Sequence, residues 1–100
     1  MVKWTIHAKA QLRHIYNRIK EDSPLYAKRV SDSFVYKTME LDKIPRKGRK
    51  VPEINEDVLR EIPNYSYRIL YEIKSDYIEV LAVIHKRQDL HIDDVPRTSE

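Results

Sequence analysis

A chain of 100 residues with 41% hydrophobic and 35% charged content has room for one domain around one modest core. The lack of cysteine excludes a disulfide framework and thiolate chemistry and fits a reducing compartment, and a single glycine excludes a Gly-rich phosphate loop. A formal charge of +3 and a pI near 9.1 permit an acidic-protein or nucleic-acid partner without requiring one. No apolar run approaches a bilayer span or a signal-peptide core, so the expectation is a soluble, cytoplasmic domain over residues 1–100.

Val2 to Ile6 alternates apolar and polar residues and predicts a short strand with Val2, Trp4 and Ile6 inward. From Ala8 to Lys20 the period becomes helical, with Ala8, Leu12, Ile15, Tyr16 and Ile19 on one face. Asp22-Ser23-Pro24 then punctuates the chain; Ser23 or Asp22 can cap a second helix, and Pro24 suits its first turn. That helix is predicted from Pro24 to about Asp42. Ala27, Val30, Phe34 and Leu41 mark its buried face, widened by Tyr26, Val35 and Met39. A turn this short predicts an antiparallel helical hairpin lying on a sheet. Ile44 to Glu53 reads as a linker, because two prolines and the one glycine interrupt it.

Val58 to Ile62 predicts a strand, with Pro63-Asn64-Tyr65-Ser66 as the turn into a hairpin made of Tyr67–Ile73 and Tyr77–His85. Pairing Ile73 with Ile78 puts Tyr71 opposite Val80, Ile69 opposite Ala82 and Tyr67 opposite Ile84. The other face then carries Arg68 across from Val83, Leu70 across from Leu81, and Glu72 across from Glu79 with Lys74 on the diagonal. The same parity adds His85 and Arg87 to that second face. For the preceding strand, pairing Ile62 with Tyr67 sets Glu61 against Arg68 and Leu59 against Leu70. It leaves Arg60 on the apolar face with its stem at an edge. After Arg87 the pattern fades. Residues 88–100 read as a tail, with a brief helical turn near Gln88–Pro96 and fraying at the end. The order β-α-α-β-β-β is an α+β two-layer arrangement, helical hairpin on a mainly antiparallel sheet. It leaves the Arg68 face bare, with Leu59, Leu70, Leu81 and Val83 set among charges as a docking surface.

Candidate chemistry is sparse. His7, His14, His85 and His91 have no ligand spacing beyond the seven-residue interval of the first two, so no metal site is expected, and no cofactor. Acid–base cleavage of RNA needs proton carriers and cations. Arg68 and Arg87 can supply charge, and His85 or Glu53 can move protons. The competing reading is a salt-bridged sheet face in which Arg68 pairs with Glu61. Lys43, Arg46, Lys47, Arg49 and Lys50 form a basic loop that can meet phosphates, but it contains no aromatic residue for stacking a base.

Read in order, Trp4 through Ile19, Asp22-Ser23-Pro24, Ile44-Pro45, Gly48-Arg49 with Val51-Pro52-Glu53, Leu59-Arg60-Glu61-Ile62, Tyr67 to Tyr71, and Val80 to His85 with Arg87 resemble the RelE/ParE toxin superfamily. The resemblance implies the toxin of a type II toxin–antitoxin pair, neutralised by an antitoxin whose disordered segment wraps it. RelE-like members cleave mRNA on the ribosome. ParE-like members bind DNA gyrase and trap it on DNA without being enzymes. Arg68 and Arg87 match arginines of the ribonuclease pattern, and Glu53 resembles a glutamate used by some of these enzymes. Basic positions of the preceding strand correspond to Leu59 and Glu61, and the C-terminal aromatic residue is missing. The departures favour the ParE branch, with no catalytic residues. They leave a RelE-like endonuclease and an inert antitoxin-binding module as alternatives. Leu59, Glu61, Arg68, Leu70, Leu81, Val83 and Arg87 are then expected to bind a partner, and the groove beside the helical hairpin to share the antitoxin.

Overall fold

The computed structural model describes residues 1–97. Strand β1 (Val2–Trp4) is shorter than its alternation suggests, because Thr5 ends it by capping the first helix. The Thr5 hydroxyl accepts the Ala8 amide at 3.0 Å, and α1 runs from Ile6 to Asp22. Ile6, expected inward, is therefore the first residue of a helix and is 87% exposed. Ser23 closes α1 through its amide and opens α2 (Pro24–Met39) through its hydroxyl, which accepts from the Tyr26 amide. A turn of 3-10 helix over Glu40–Asp42 carries the path on to the predicted end. Tyr26, Val35 and Met39 lie outside the buried face, where Thr38 replaces them. Its hydroxyl donates back to the Phe34 and Val35 carbonyls at 3.0 Å, so burying it leaves no polar group unpaired.

The linker contains structure. After a 3-10 turn at Pro45–Lys47, Arg49–Lys50 forms β2, which pairs antiparallel with β3 (Leu59–Asn64). With β4 (Tyr67–Ile73) and β5 (Ile78–His85) the sheet has the order β1-β5-β4-β3-β2. Only β1, parallel to β5, departs from antiparallel pairing. Pro63 stands inside β3 because β2 pairs only as far as Glu61, so no neighbour needs the missing amide. Tyr65-Ser66 alone makes the β3–β4 turn, with Tyr65 at φ 55° and its ring edge-on to Tyr26.

Two registers differ from expectation. Ile62 pairs with Ile69, not Tyr67, a slip of two residues that leaves every side chain on its predicted face. Between β4 and β5 the expected register holds from Ile73↔Ile78 to Tyr71↔Val80, then shifts so that Leu70 meets Ala82, Ile69 meets Val83 and Tyr67 meets His85. Leu81 is the extra residue of this bulge. Its carbonyl accepts from the Thr5 hydroxyl at 3.3 Å, and the Val83 amide donates to the Gln11 side chain at 2.7 Å. The one-residue shift turns Val83 towards the helices and Ala82 and Ile84 away from them.

The helices cover one face, burying Phe34, Val30 and Ile15 against Tyr71, Ile69, Val80 and Val83. The other face is not bare. Leu59, Leu70 and Leu81 are 0% exposed, beneath Val51 and Ile54 of the loop before β3 and Leu90 and Val95 of the tail. The tail holds a 3-10 turn at Ile92–Asp94 and is tied down by Arg97, which donates to both oxygens of Glu72 and to Glu56. The fold remains α+β, two helices on a five-stranded sheet, but a thin cover forms a third layer. The fraying expected at the very end falls on 98–100, outside the described residues. No helix among the described residues is long and apolar enough to cross a membrane.

Candidate functional site

Arg68 sits on the covered face, 9% exposed, at the join between β3 and the loop. Its Nη1 and Nη2 donate to the two carboxylate oxygens of Glu53 at 2.9 and 2.8 Å. Nε donates to Glu61 Oε1 at 2.9 Å, and Nη2 contacts the same oxygen. The other Glu61 oxygen accepts from Arg49 at 2.8 Å. Two arginines and two glutamates thus form a closed, neutral set. Hydrogen bonding from Arg68 holds the Glu53 carboxyl below the usual glutamate range. The same bonds, Glu53 first, hold Arg68 still more firmly protonated. The salt-bridged reading of this face is the one the side chains adopt.

The four residues of the ribonuclease alternative do not converge. Arg68 and Glu53 are spent on each other. His85 pairs with Tyr67, which faces the helices, and the two rings meet edge-on at 5.8 Å. The bulge has therefore put His85 on the opposite side of the sheet from Arg68, contrary to the parity argument. Its Nδ1 accepts the Arg87 amide at 3.2 Å, and Arg87 lies beyond β5, exposed. A general base needs a pKa near the working pH, and a glutamate pulled downward by a guanidinium is far from that.

The docking expectation changes with the same geometry. Leu59, Leu70 and Leu81 lie under the cover and Val83 under the helices; Glu61 is 4% exposed and Arg68 9%. Of the seven residues expected to meet a partner there, only Arg87 is open to solvent. The reason is that Leu90 and Val95 return across the face, a contact that no local pattern announces. In the basic loop, Arg46 pairs with Asp57, Lys47 with Glu40 and Arg49 with Glu61. Asp57 is held below the usual aspartate range, mainly by Arg46 and then Arg60. Arg60 keeps the predicted edge position, its guanidinium on the Gly48 carbonyl and on Asp57. Among the described residues no three His, Asp or Glu side chains come together in a way that would hold a metal ion.

Two open grooves flank the outer edge of α2. One, of about 830 Å³, lies between the end of α2 and β3 and is lined by Tyr36, Tyr65, Tyr67, Lys37 and Lys86 among others. The second, of about 530 Å³, runs beside the helical hairpin. Trp4, Leu12, Tyr16 and Val35 form its floor, and Lys9 and Arg13 its rim. Pattern reading missed Trp4 and Tyr16 as groove residues because both fall on core-facing positions of their elements. They are only partly covered, so each keeps an edge in the groove.

A family model described as "ParE toxin of type II toxin-antitoxin system, parDE" matches residues 2–90. A solved structure, the chromosomal ParDE TA system from P. aeruginosa, shares the fold with a TM-score of 0.70 and 21% sequence identity. The alignment covers 84% of this chain and 92% of that one. Compared with curated proteins, the chain finds no sequence match.

Proposed function

This chain belongs to the ParE toxin family of type II toxin–antitoxin systems, and on that premise we propose that it stops growth by binding DNA gyrase. In this reading it is no enzyme, and a cognate antitoxin neutralises it in the cytoplasm. The observation that carries the reading is the closed Arg68–Glu53–Glu61–Arg49 set with His85 turned to the other side of the sheet. A ribosome-dependent nuclease needs those groups free and convergent; a protein that works by docking can use them as structure. The antitoxin is assigned to the groove beside the helical hairpin. There an amphipathic segment can lay apolar residues on Trp4, Leu12 and Val35 and acidic ones against Lys9 and Arg13.

Supercoiling and DNA-cleavage assays with purified gyrase test the proposal. Inhibition of supercoiling with accumulation of cleaved DNA is expected. Normal supercoiling together with codon-specific mRNA cuts on ribosomes would establish the nuclease instead. Normal growth on expression without the antitoxin would mark an inert binding module. For the groove, Val35→Asp, at a position 46% exposed on α2, is expected to weaken antitoxin copurification while leaving the core intact.

A further inference from the structure

The fold uses one side of α2 and leaves the opposite side apolar and open. At about 100° per residue, Leu25, Arg29, Asp32, Tyr36 and Met39 share the side turned away from the buried Ala27, Val30 and Phe34. Leu25, Tyr36 and Met39 are 63%, 69% and 64% exposed, whereas α1 exposes only Ile6 among its large apolar residues. The row runs along the ridge between the two grooves. Lys28 and Val35 border it on the antitoxin side, and Tyr26, Ser33 and Glu40 on the other.

Its spacing is that of a coiled-coil seam. Steps of four, three, four and three residues from Leu25 to Met39 keep one stripe facing outward over about 21 Å. The order of the side chains also reads the same backwards. In an antiparallel pairing centred between Val30 and Ser31, Leu25 meets Tyr36 of a second copy and Arg29 meets Asp32. The two-fold axis repeats both contacts, and Met39 reaches the turn at Asp22-Ser23. A parallel pairing would set Arg29 against Arg29 and Asp32 against Asp32, so the charges select the antiparallel one. Sliding by a heptad either opposes Asp22 and Asp32 or carries Leu25 past the end of the other helix. Arg29 forms no ion pair among the described residues. Asp32 accepts from Lys28 through one oxygen, at 2.8 Å, which leaves the other for an incoming guanidinium. A foreign partner could be matched to this row in any order; self-complementarity is required only of a two-fold pairing of the chain with itself.

We propose that the outer ridge of α2 pairs antiparallel with the same ridge of a second copy of this chain. One helix stripe falls short of the about 800 Å² per partner of a standard interface, so the dimer is weak, with a dissociation constant of roughly 10–500 µM. The pairing does not depend on which enzyme the toxin targets.

Sedimentation velocity of the full chain, at concentrations spanning that range, tests the proposal. The parent should shift from monomer to dimer as concentration rises. Arg29→Glu and Asp32→Arg each place like charges opposite one another at both repeats, and each should weaken self-association roughly tenfold or more. An equimolar mixture of the two variants restores both opposite-charge contacts and should dimerise as the parent does. So should the double variant Arg29→Glu/Asp32→Arg, whose net charge equals the parent's. All these positions are exposed, and circular dichroism checks that each variant folds. A parent that stays monomeric throughout overturns the proposal, as does a dimer indifferent to both single variants. Failure of the mixture and of the double variant to recover dimerisation overturns it too. A monomeric parent whose Arg29→Glu variant no longer copurifies with antitoxin would give the ridge to the antitoxin instead.

Discussion

Replacing Arg68 with methionine separates a structural guanidinium from a catalytic one. The substitution keeps the length of the stem and removes four donated contacts, two to Glu53 and two to Glu61. The consequences are unequal. The Glu53 side chain is 33% exposed and can turn to water, whereas that of Glu61 is 5% exposed and keeps only Arg49, itself 70% exposed. Breaking a buried ion pair from one side typically costs about 3–5 kcal/mol, because a desolvated charge is left behind. The surviving Arg49 contact offsets part of this, so the expected loss is about 2–3 kcal/mol. At roughly 4–8 °C per kcal/mol for a domain of this size, Tm should fall by about 10–20 °C. Adding Glu61→Leu removes the orphaned carboxylate and should recover at least half of the loss, since apolar replacement of a buried pair is often neutral. Urea unfolding at pH 7, followed by far-ultraviolet circular dichroism, measures both effects. A loss below about 0.5 kcal/mol for Arg68→Met, or no recovery in the double variant, would refute the assignment. Gyrase inhibition retained by the folded double variant would further separate Arg68 from any chemistry.

Three more outcomes follow from particular contacts. Gly48→Ala places a Cβ 2.5 Å from the Glu61 carbonyl and 2.7 Å from the Tyr71 hydroxyl, so it should cost about 1–3 kcal/mol in the same unfolding assay. Ending the chain after Arg87 uncovers Leu59, Leu70 and Leu81 and forfeits the burial of Leu90 and Val95, about 1.5–3 kcal/mol each. The shortened protein should bind an apolar dye and self-associate in size-exclusion chromatography, and a stable monomer would show that the cover is dispensable. Glu53, with its pKa lowered by Arg68, contributes stability that is present above the unfolded glutamate value near 4.5 and is lost as pH falls through the lower folded value. Stability measured from pH 6 to pH 3 should therefore decline less steeply in Arg68→Met than in the parent.

How much of this protein is legible in its residues depends on the range of the interaction concerned. The helices were readable because their signals are local: the Ala8–Ile15 and Ala27–Val30–Phe34 spacings, and Ser23-Pro24 between them. The faces of β3 were readable for a related reason. A slip of two residues moved Ile62 from Tyr67 to Ile69 without moving any side chain across the sheet. The Arg68–Glu61 pair was within reach of that parity argument, but Glu53 as the second carboxylate came only with the loop's path.

The sequence by itself determined the α+β class, the helical hairpin, the three long strands and the family resemblance, since periodicity, caps and alternation act within a few residues. Only the tertiary structure decided the fate of the second face. The bulge at Leu81 is stabilised by Thr5 and Gln11, more than 70 residues away in the chain. The tail covers Leu59, Leu70 and Leu81 through Leu90, Val95 and Arg97, contacts whose partners are distant in sequence and carry no shared period. The same holds for charge: composition locates the basic residues, but only folding brings Asp57, Glu40 and Glu61 to Arg46, Lys47 and Arg49 of the loop.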